Sequence, residues 1–132
     1  MSDLLSFIGR PWALPCDPPR TYDCWELVVE VRKHLGRPIP SIQTRSERSL
    51  GDVAAYSDGY HGWKRLDEPV CGCVVLLGHP AKHCGVYFDD SRTIHSFSPN
   101  GVTGSVQFTR LNSLKRLFGN RVSFWEFTDG VD

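Results

Sequence analysis

The chain has 132 residues, of which 40% are hydrophobic and 23% charged, and its 15 basic residues balance its 15 acidic ones. This length and composition predict one soluble globular domain spanning residues 1–132. Net neutrality, and the absence of any Lys/Arg run longer than two residues, argue against a nucleic-acid partner, since general binding needs phosphate neutralisation. The longest apolar run, residues 70–77, is too short to cross a bilayer, so no membrane insertion is expected.

The N-terminus and the cysteines indicate where the chain is made. The first eight residues lack the basic region and cleavage site of a signal peptide, so we expect synthesis in the cytoplasm. Five cysteines cannot all pair within one chain, and a cytoplasmic origin argues against a disulfide framework. The cysteines therefore call for another explanation, in packing or in chemistry.

The clearest predicted element is a helix over residues 24–35. Asp23 precedes it and Glu26 follows three residues later, which is the acidic form of a capping box. Gly36 and Pro38 end the helix. Its apolar residues recur at helical spacing and predict one buried stripe, formed by Cys24, Leu27, Val28, Val31 and Leu35.

The rest of the chain predicts a weaker helix over 46–56 and then short β-rich runs separated by turn residues. The predicted strands are 73–77, 84–88, 93–97, 104–109 and 122–127, with a short helix over 111–118 before the last of them. A helical first half followed by an antiparallel meander indicates an α+β domain.

Cys24 is the first candidate for chemistry. It falls at the first position of the predicted helix, where unpaired N–H groups and the helix dipole favour a thiolate. The alternative is that Cys24 is a small hydrophobic residue of the buried stripe. A base close to the thiol would favour the first interpretation.

His83 and His95 are the candidate partners of Cys24, because they flank a predicted hairpin. If its loop is residues 89–91, Gly85 lies opposite His95, and both imidazoles project from the same face as diagonal neighbours. A loop one residue longer or shorter would put them on opposite faces. Gly85 is expected to leave room on that face for the end of a helix. Either histidine alone is typical of a partly buried imidazole, whereas both beside Cys24 indicate a catalytic set.

A metal site is the competing use of this part of the chain. Within fourteen positions it carries Cys71, Cys73, His79, His83 and Cys84. Structural zinc sites usually separate their paired cysteines by two to four residues, and here only one residue separates the first pair. The adjacent histidine and cysteine would also face opposite sides of a strand. The spacing therefore argues against a metal site, and His79 stays open as an alternative base.

Three motifs together resemble the NlpC-type family of papain-like cell-wall cysteine peptidases, and in particular its short phage-tail-associated members. Their order and spacing are more specific than any one motif, and the similarity extends over most of the chain. The resemblance implies a minimal papain-like domain whose N-terminal helix carries the nucleophile and packs on an antiparallel sheet. The motifs are Tyr22-Asp23-Cys24-Trp25, Lys82-His83-Cys84-Gly85-Val86-Tyr87-Phe88 and Ile94-His95-Ser96.

By this resemblance Cys24 is the nucleophile, His83 is the general base and later the acid, and His95 orients His83. Asp23 and Tyr22 become candidate substrate-binding residues, with Asp23 placed to meet a substrate ammonium group. The family cleaves γ-D-glutamyl to diamino-acid bonds in peptidoglycan stem peptides and uses no cofactor.

The chain departs from the family pattern at two cysteines. Members usually carry Gly-Asp at the start of the first strand of the sheet, whereas here Gly72 is followed by Cys73, so that carboxylate is missing. Cys84 stands where a small aliphatic residue is common, and we expect it to pack in the core.

The resemblance implies a cysteine peptidase of peptidoglycan stem peptides, made in the host cytoplasm and carried in a phage tail beside other tail proteins. Net neutrality excludes adhesion to the anionic wall by bulk charge. One alternative is a tail-tip assembly component with residual or no peptidase activity, because no wall-binding module accompanies the expected domain. A third possibility is acyl transfer or amide hydrolysis on a host protein or lipid.

Overall fold

A computed structural model of the protein describes residues 6–13, 20–39, 63–78, 83–88, 91–100 and 102–127. The helix predicted over 46–56 lies outside these ranges. None of the described helices is long and apolar enough to cross a membrane. The elements in chain order are α1 (Cys24–His34), β1 (Trp63–Leu66), β2 (Val74–Leu77), β3 (His83–Tyr87), β4 (Arg92–Phe97), β5 (Ser105–Arg110), α2 (Leu111–Leu117) and β6 (Val122–Phe127).

The described strands form one antiparallel sheet in the order β1-β6-β2-β3-β4-β5. The predicted meander is confirmed from β2 to β5. It is wrong for β6, which returns across the sheet to pair with both β1 and β2. The sequence does not predict strand β1, because Trp-Lys-Arg-Leu has no apolar alternation. Pairing with β6, far along the chain, holds β1 in the extended conformation.

Helix α1 begins and packs as predicted. The side chain of Asp23 caps it by accepting a hydrogen bond of 2.8 Å from the backbone N–H of Glu26. The helix ends at His34, one residue before the predicted end. The middle of the predicted stripe, Leu27, Val28 and Val31, is fully buried, with Cys24 and Leu35 packed at its margin.

The two faces of the sheet carry separate apolar clusters, and this separation sets the geometry of the site. Helix α1 covers the face that includes Cys84 and Val86 of β3. Helix α2 covers the other face, where its leucines pack against Val75 and Leu77 of β2. Because successive residues of a strand face opposite sides, His83, which pairs with Leu77, lies on the α2 side.

The hairpin register between β3 and β4 is confirmed. Val86 pairs with Ile94, which places Gly85 opposite His95 as predicted. The expectation that Gly85 makes room for the end of a helix is wrong, however. A Cβ atom at residue 85 would lie 2.6 Å from Thr93 Cγ2 and 2.8 Å from the carbonyl oxygen of Ile94, both in β4. Glycine is needed here because the neighbouring strand comes close.

A buried arginine joins the far end of α1 to the sheet. Arg32 is 1% exposed and donates two hydrogen bonds to the carboxylate of Glu126, at 2.8 and 3.1 Å. It also donates to the carbonyl oxygen of Gly72 at 2.6 Å. A buried charge is tolerated where it is paired and hydrogen-bonded, so these contacts fix α1 against β6 and the turn before β2.

Candidate active site

The two candidate imidazoles form a buried hydrogen-bonded pair. His83 Nε2 lies 2.8 Å from His95 Nδ1, and the two rings meet edge to face with centroids 5.0 Å apart. Both side chains are almost fully buried. They come together because Gly85 is opposite His95, which makes His83 its diagonal neighbour on the same face. The structure thus brings together the two histidines that the predicted register placed side by side.

Two aromatic rings enclose this pair. Phe118, at the C-terminal cap of α2, is stacked on His83 with centroids 5.5 Å apart and planes 15° from parallel. Phe97 of β4 lies 5.2 Å from the ring of His83 and 5.7 Å from that of His95. The rings remove water from the imidazoles and supply no charge.

This apolar enclosure determines the charge of the two histidines. Burial lowers the pKa of His83 well below the ordinary value, and the neighbouring His95 lowers it further. Burial lowers the pKa of His95 to about 4. At neutral pH both rings are therefore uncharged, so His83 is in the form that accepts a proton and His95 can orient it without adding a positive charge.

These lowered pKa values predict a loss of stability in mild acid. The unfolded chain binds protons on both histidines below about pH 6.5, while the folded protein does not, so stability is full above that pH and falls below it. Because the pKa of His95 falls to about 4, we expect His95 alone to lower the free energy of unfolding by about 2 kcal/mol between pH 7 and pH 5.

Urea unfolding at the two pH values measures this loss. The variant His95→Asn is the control, since it keeps a polar side chain that does not titrate. Its loss of stability between pH 7 and pH 5 should be smaller than that of the parent by the contribution of one histidine. An identical loss in both proteins would contradict the assignment.

Cys24 lies at the first position of α1 and is partly exposed. Its side chain is hydrogen-bonded to that of Cys84, whose thiol pKa is raised well above the ordinary value, mainly by burial. Cys84 is fully buried in the cluster beneath α1, as expected for a packing residue. In the described part of the chain, Cys24 makes no hydrogen bond to either imidazole.

Cys84 lies between Cys24, whose thiol it contacts, and His83, which it follows in the chain. Cys84 directly follows His83 in β3, so their Cα atoms are about 3.8 Å apart, although their side chains face opposite sides. His83 is also the first residue of its strand, where the sheet ends. The structure therefore places the thiol of Cys24 beside Cys84, the neighbour of His83 in β3, on the face of the strand opposite the imidazole.

Tyr22 and Asp23, the candidate substrate-binding residues, are both buried beside the start of α1. The ring of Tyr22 packs edge to face on Phe7 at 5.7 Å, and its carbonyl oxygen accepts a hydrogen bond of 2.6 Å from Ser96 Oγ. Asp23 serves as the N-cap of α1. A contact of either residue with substrate stays a prediction.

The other cysteines and the histidine considered for a metal site or as a base lie in different places. Cys73 is buried, and this burial raises its thiol pKa to about 11, which makes it an unreactive packing residue. Cys71 is exposed. His79, the alternative base, lies outside the described residues. Across the described ranges, no group of three or more His, Cys, Asp or Glu side chains could hold a metal ion.

One contact of the site is not predicted by the sequence. His95 Nε2 lies 2.8 Å from the hydroxyl oxygen of Thr109 in β5. His95 pairs with Gln107, so Thr109 is its diagonal neighbour on the same face. The connection between β4 and β5 is too long to fix their register from sequence, and no other signal marks Thr109.

Comparison with known proteins identifies the fold. No protein-family model matches the chain, and no curated protein matches it. Among solved structures, the NlpC/p60 domain of the peptidoglycan hydrolase SagA is similar with a TM-score of 0.60 and 16% identity, over 93% of this chain and 92% of that one. NlpC2 from Trichomonas vaginalis is similar with a TM-score of 0.56 and 19% identity, over 85% of this chain and 40% of that one.

These similarities establish the architecture. The chain has the α+β fold of NlpC/p60 domains, in which an N-terminal helix packs on an antiparallel sheet, and the expected papain-like minimal domain is confirmed. Cys24 begins α1 on one face of the sheet, and His83 begins β3 with its side chain on the other face.

Proposed function

We propose that this protein is a cysteine peptidase that hydrolyses amide bonds in peptidoglycan stem peptides. Cys24 is the nucleophile, His83 the base and later the acid, and His95 the residue that orients His83. The observation that carries the proposal is the buried 2.8 Å pair of His83 and His95, one residue along β3 from the cysteine that Cys24 contacts. The shared fold with a domain of a peptidoglycan hydrolase supports the substrate class.

The reaction begins with a proton transfer from Cys24 Sγ to His83. Since Nε2 of His83 is bonded to His95, Nδ1 is the nitrogen that takes this proton. The thiolate then attacks the amide carbonyl carbon, and the resulting oxyanion accepts a hydrogen bond from the backbone N–H of Cys24, which has no acceptor within the helix. His83 gives its proton to the amine as the C–N bond breaks, which leaves a thioester on Cys24. Water, deprotonated by His83, then attacks the thioester carbonyl, the C–S bond breaks, and the thiolate of Cys24 takes the proton back from His83.

The first step requires the thiol of Cys24 to reach His83 at the start of β3, because Cys24 packs on the face of the sheet that carries Cys84 and the imidazole of His83 lies on the other face. Catalytic hydrogen bonds are often long or absent before substrate binds. Here the thiol of Cys24 is hydrogen-bonded to the thiol of Cys84. The lowered pKa of His83 makes it a weak base, so the transfer depends on the attraction between the thiolate and the imidazolium that it forms.

Incubation of the purified protein with defined muropeptides tests this function. We expect mass spectrometry to show stem-peptide fragments that accumulate with time. A folded protein that cleaves no muropeptide would contradict the proposal.

We further propose that the protein is made in the host cytoplasm and acts as a phage-tail component during cell-wall penetration, with other tail proteins as partners. The three sequence motifs support this placement by their similarity to short phage-tail-associated members of the family. Recovery of the chain with purified tail particles would support it, and recovery only as a free protein would contradict it.

A tail-tip assembly component without peptidase activity is the second candidate function. The observation that favours it is that the thiol of Cys24 is hydrogen-bonded to the thiol of Cys84 and not to the imidazole of His83. In that case the helix start is a packing contact, and Cys24 has the reactivity of an ordinary thiol.

A further inference from the structure

The hydrogen-bonded chain of the site extends beyond the two histidines to a third strand. It runs from His83 Nε2 to His95 Nδ1 at 2.8 Å, and from His95 Nε2 to Thr109 Oγ1 at 2.8 Å. We infer that Thr109 is a positioning residue that fixes the protonated nitrogen of His95 and, through it, that of His83. The inference rests on the proposed role of His83 as the base.

The direction of these bonds follows from the role of His83. To accept a proton from Cys24 at Nδ1, a neutral His83 must carry its own proton on Nε2. That N–H then donates to His95 Nδ1, so the single proton of the neutral His95 must lie on its Nε2. The Nε2–H group of His95 needs an acceptor, and the hydroxyl oxygen of Thr109 is the atom within reach.

The Nε2–H group of His95 needs the Thr109 acceptor most when His83 is protonated. The neutral pair can also adopt the reversed arrangement, with His95 donating to His83 from Nδ1. An imidazolium at His83 carries protons on both nitrogens, so only the forward arrangement remains. Without an acceptor at residue 109, that state would leave the buried N–H of His95 unsatisfied, whereas the neutral state would escape this cost by reversing.

The variant Thr109→Val removes the acceptor and keeps the shape of the side chain. Loss of the acceptor of the buried His95 reduces formation of the imidazolium, and we expect kcat/KM on muropeptides to fall by on the order of 10-fold. The variant Thr109→Ser keeps the hydroxyl and should restore most of the activity.

Thr93 offers a matched control in the neighbouring strand. Its hydroxyl is buried and has no hydrogen-bond partner among the described residues, and its side chain lies on the same face of the sheet beside Gly85. The variant Thr93→Val therefore makes the same chemical change next to the site without removing a contact of His95. We expect it to leave kcat/KM unchanged.

Nuclear magnetic resonance of ¹⁵N-labelled histidine gives a readout that does not depend on hydrolysis. In the parent protein at neutral pH, we expect His95 to be protonated at Nε2 and His83 at Nε2. In Thr109→Val the proton of His95 should move to Nδ1, while Thr109→Ser and Thr93→Val should match the parent.

The same spectra separate failure of this inference from failure of the proposed function. A His95 protonated at Nδ1 in the parent, or unchanged tautomers in a folded Thr109→Val, would overturn the role of Thr109 whatever the substrate is. If Thr109→Val does not fold, the parent spectrum alone decides. A protein with the expected tautomers that cleaves no muropeptide would retain the role of Thr109 and lose only the peptidase assignment.

Discussion

Replacement of Cys24 by alanine is expected to reduce release of stem-peptide fragments by on the order of 10³-fold or more, because it removes the atom that forms the covalent intermediate. The change should leave the fold intact. Cys24 is partly exposed at the margin of the core, and alanine is the residue that helices tolerate best. Time courses on defined muropeptides, with circular dichroism to verify folding, measure the effect.

Cys71→Ala is the control for this variant. Cys71 is also a free cysteine, but it is exposed and distant from His83 in the fold, before the start of β2. We expect this variant to cleave muropeptides as fast as the parent. If Cys24→Ala still released fragments at the parent rate, a nucleophilic role for Cys24 would be excluded.

The largest expected effect on stability is at Glu126, the partner of the buried Arg32. The variant Glu126→Leu leaves the guanidinium of Arg32 buried, and in the part of the chain that the structure describes its only acceptor is then the carbonyl oxygen of Gly72. Breaking one side of a buried pair typically costs 3–5 kcal/mol. Glu126 keeps 22% exposure, so we expect a loss of about 3 kcal/mol in the free energy of unfolding, measured by urea denaturation.

Two further variants show whether this loss comes from the unpaired charge. In the double variant Arg32→Met with Glu126→Leu no charge stays buried, so most of the lost stability should return. The variant Glu68→Leu makes the same chemical change at an exposed residue and should alter stability by less than about 0.5 kcal/mol. Equal losses in Glu126→Leu and Glu68→Leu would contradict the structural role of the pair.

The parts of the fold that the sequence predicts are those set by nearby residues. The capping of α1 by Asp23 involves residues three positions apart. The hairpin that aligns His83 with His95 follows from the length of one short loop. The helical stripe and the pairing of the two imidazoles therefore follow from local patterns in the chain.

The features that the sequence does not predict depend on partners far along the chain. Strand β1 forms through pairing with β6, and Arg32 is buried because Glu126 meets it from β6. The contact of Thr109 with His95 depends on the register of β5 against β4, which a long connection separates. In the sequence, the polar residues of β1, Arg32 and Thr109 are ordinary, and nothing around them indicates the distant partner.

For Cys24 and His83, the sequence predicts the elements that carry the two residues but not the contact between their side chains. The motifs place a cysteine at a helix start and a histidine on a strand, and the structure brings these two elements together. Which side of the strand the thiol meets depends on packing at the junction, and there Cys24 contacts Cys84, the residue after His83. The chemistry of the site therefore depends on whether His83 activates Cys24 in solution.

The rate at which Cys24 reacts with iodoacetamide at pH 6 tests that activation most directly. An ordinary thiol with a pKa near 8.5 is less than about 1% ionised at this pH, whereas a thiol paired with an imidazole is ionised to a much larger extent. The exposed Cys71 provides a reference thiol in the same molecule, and peptide mass spectrometry follows both. We predict that Cys24 reacts more than about 10-fold faster than Cys71 in the parent protein, and that His83→Asn abolishes the difference. Equal rates for the two thiols in the folded parent would contradict a peptidase site at Cys24 and would favour the assembly role.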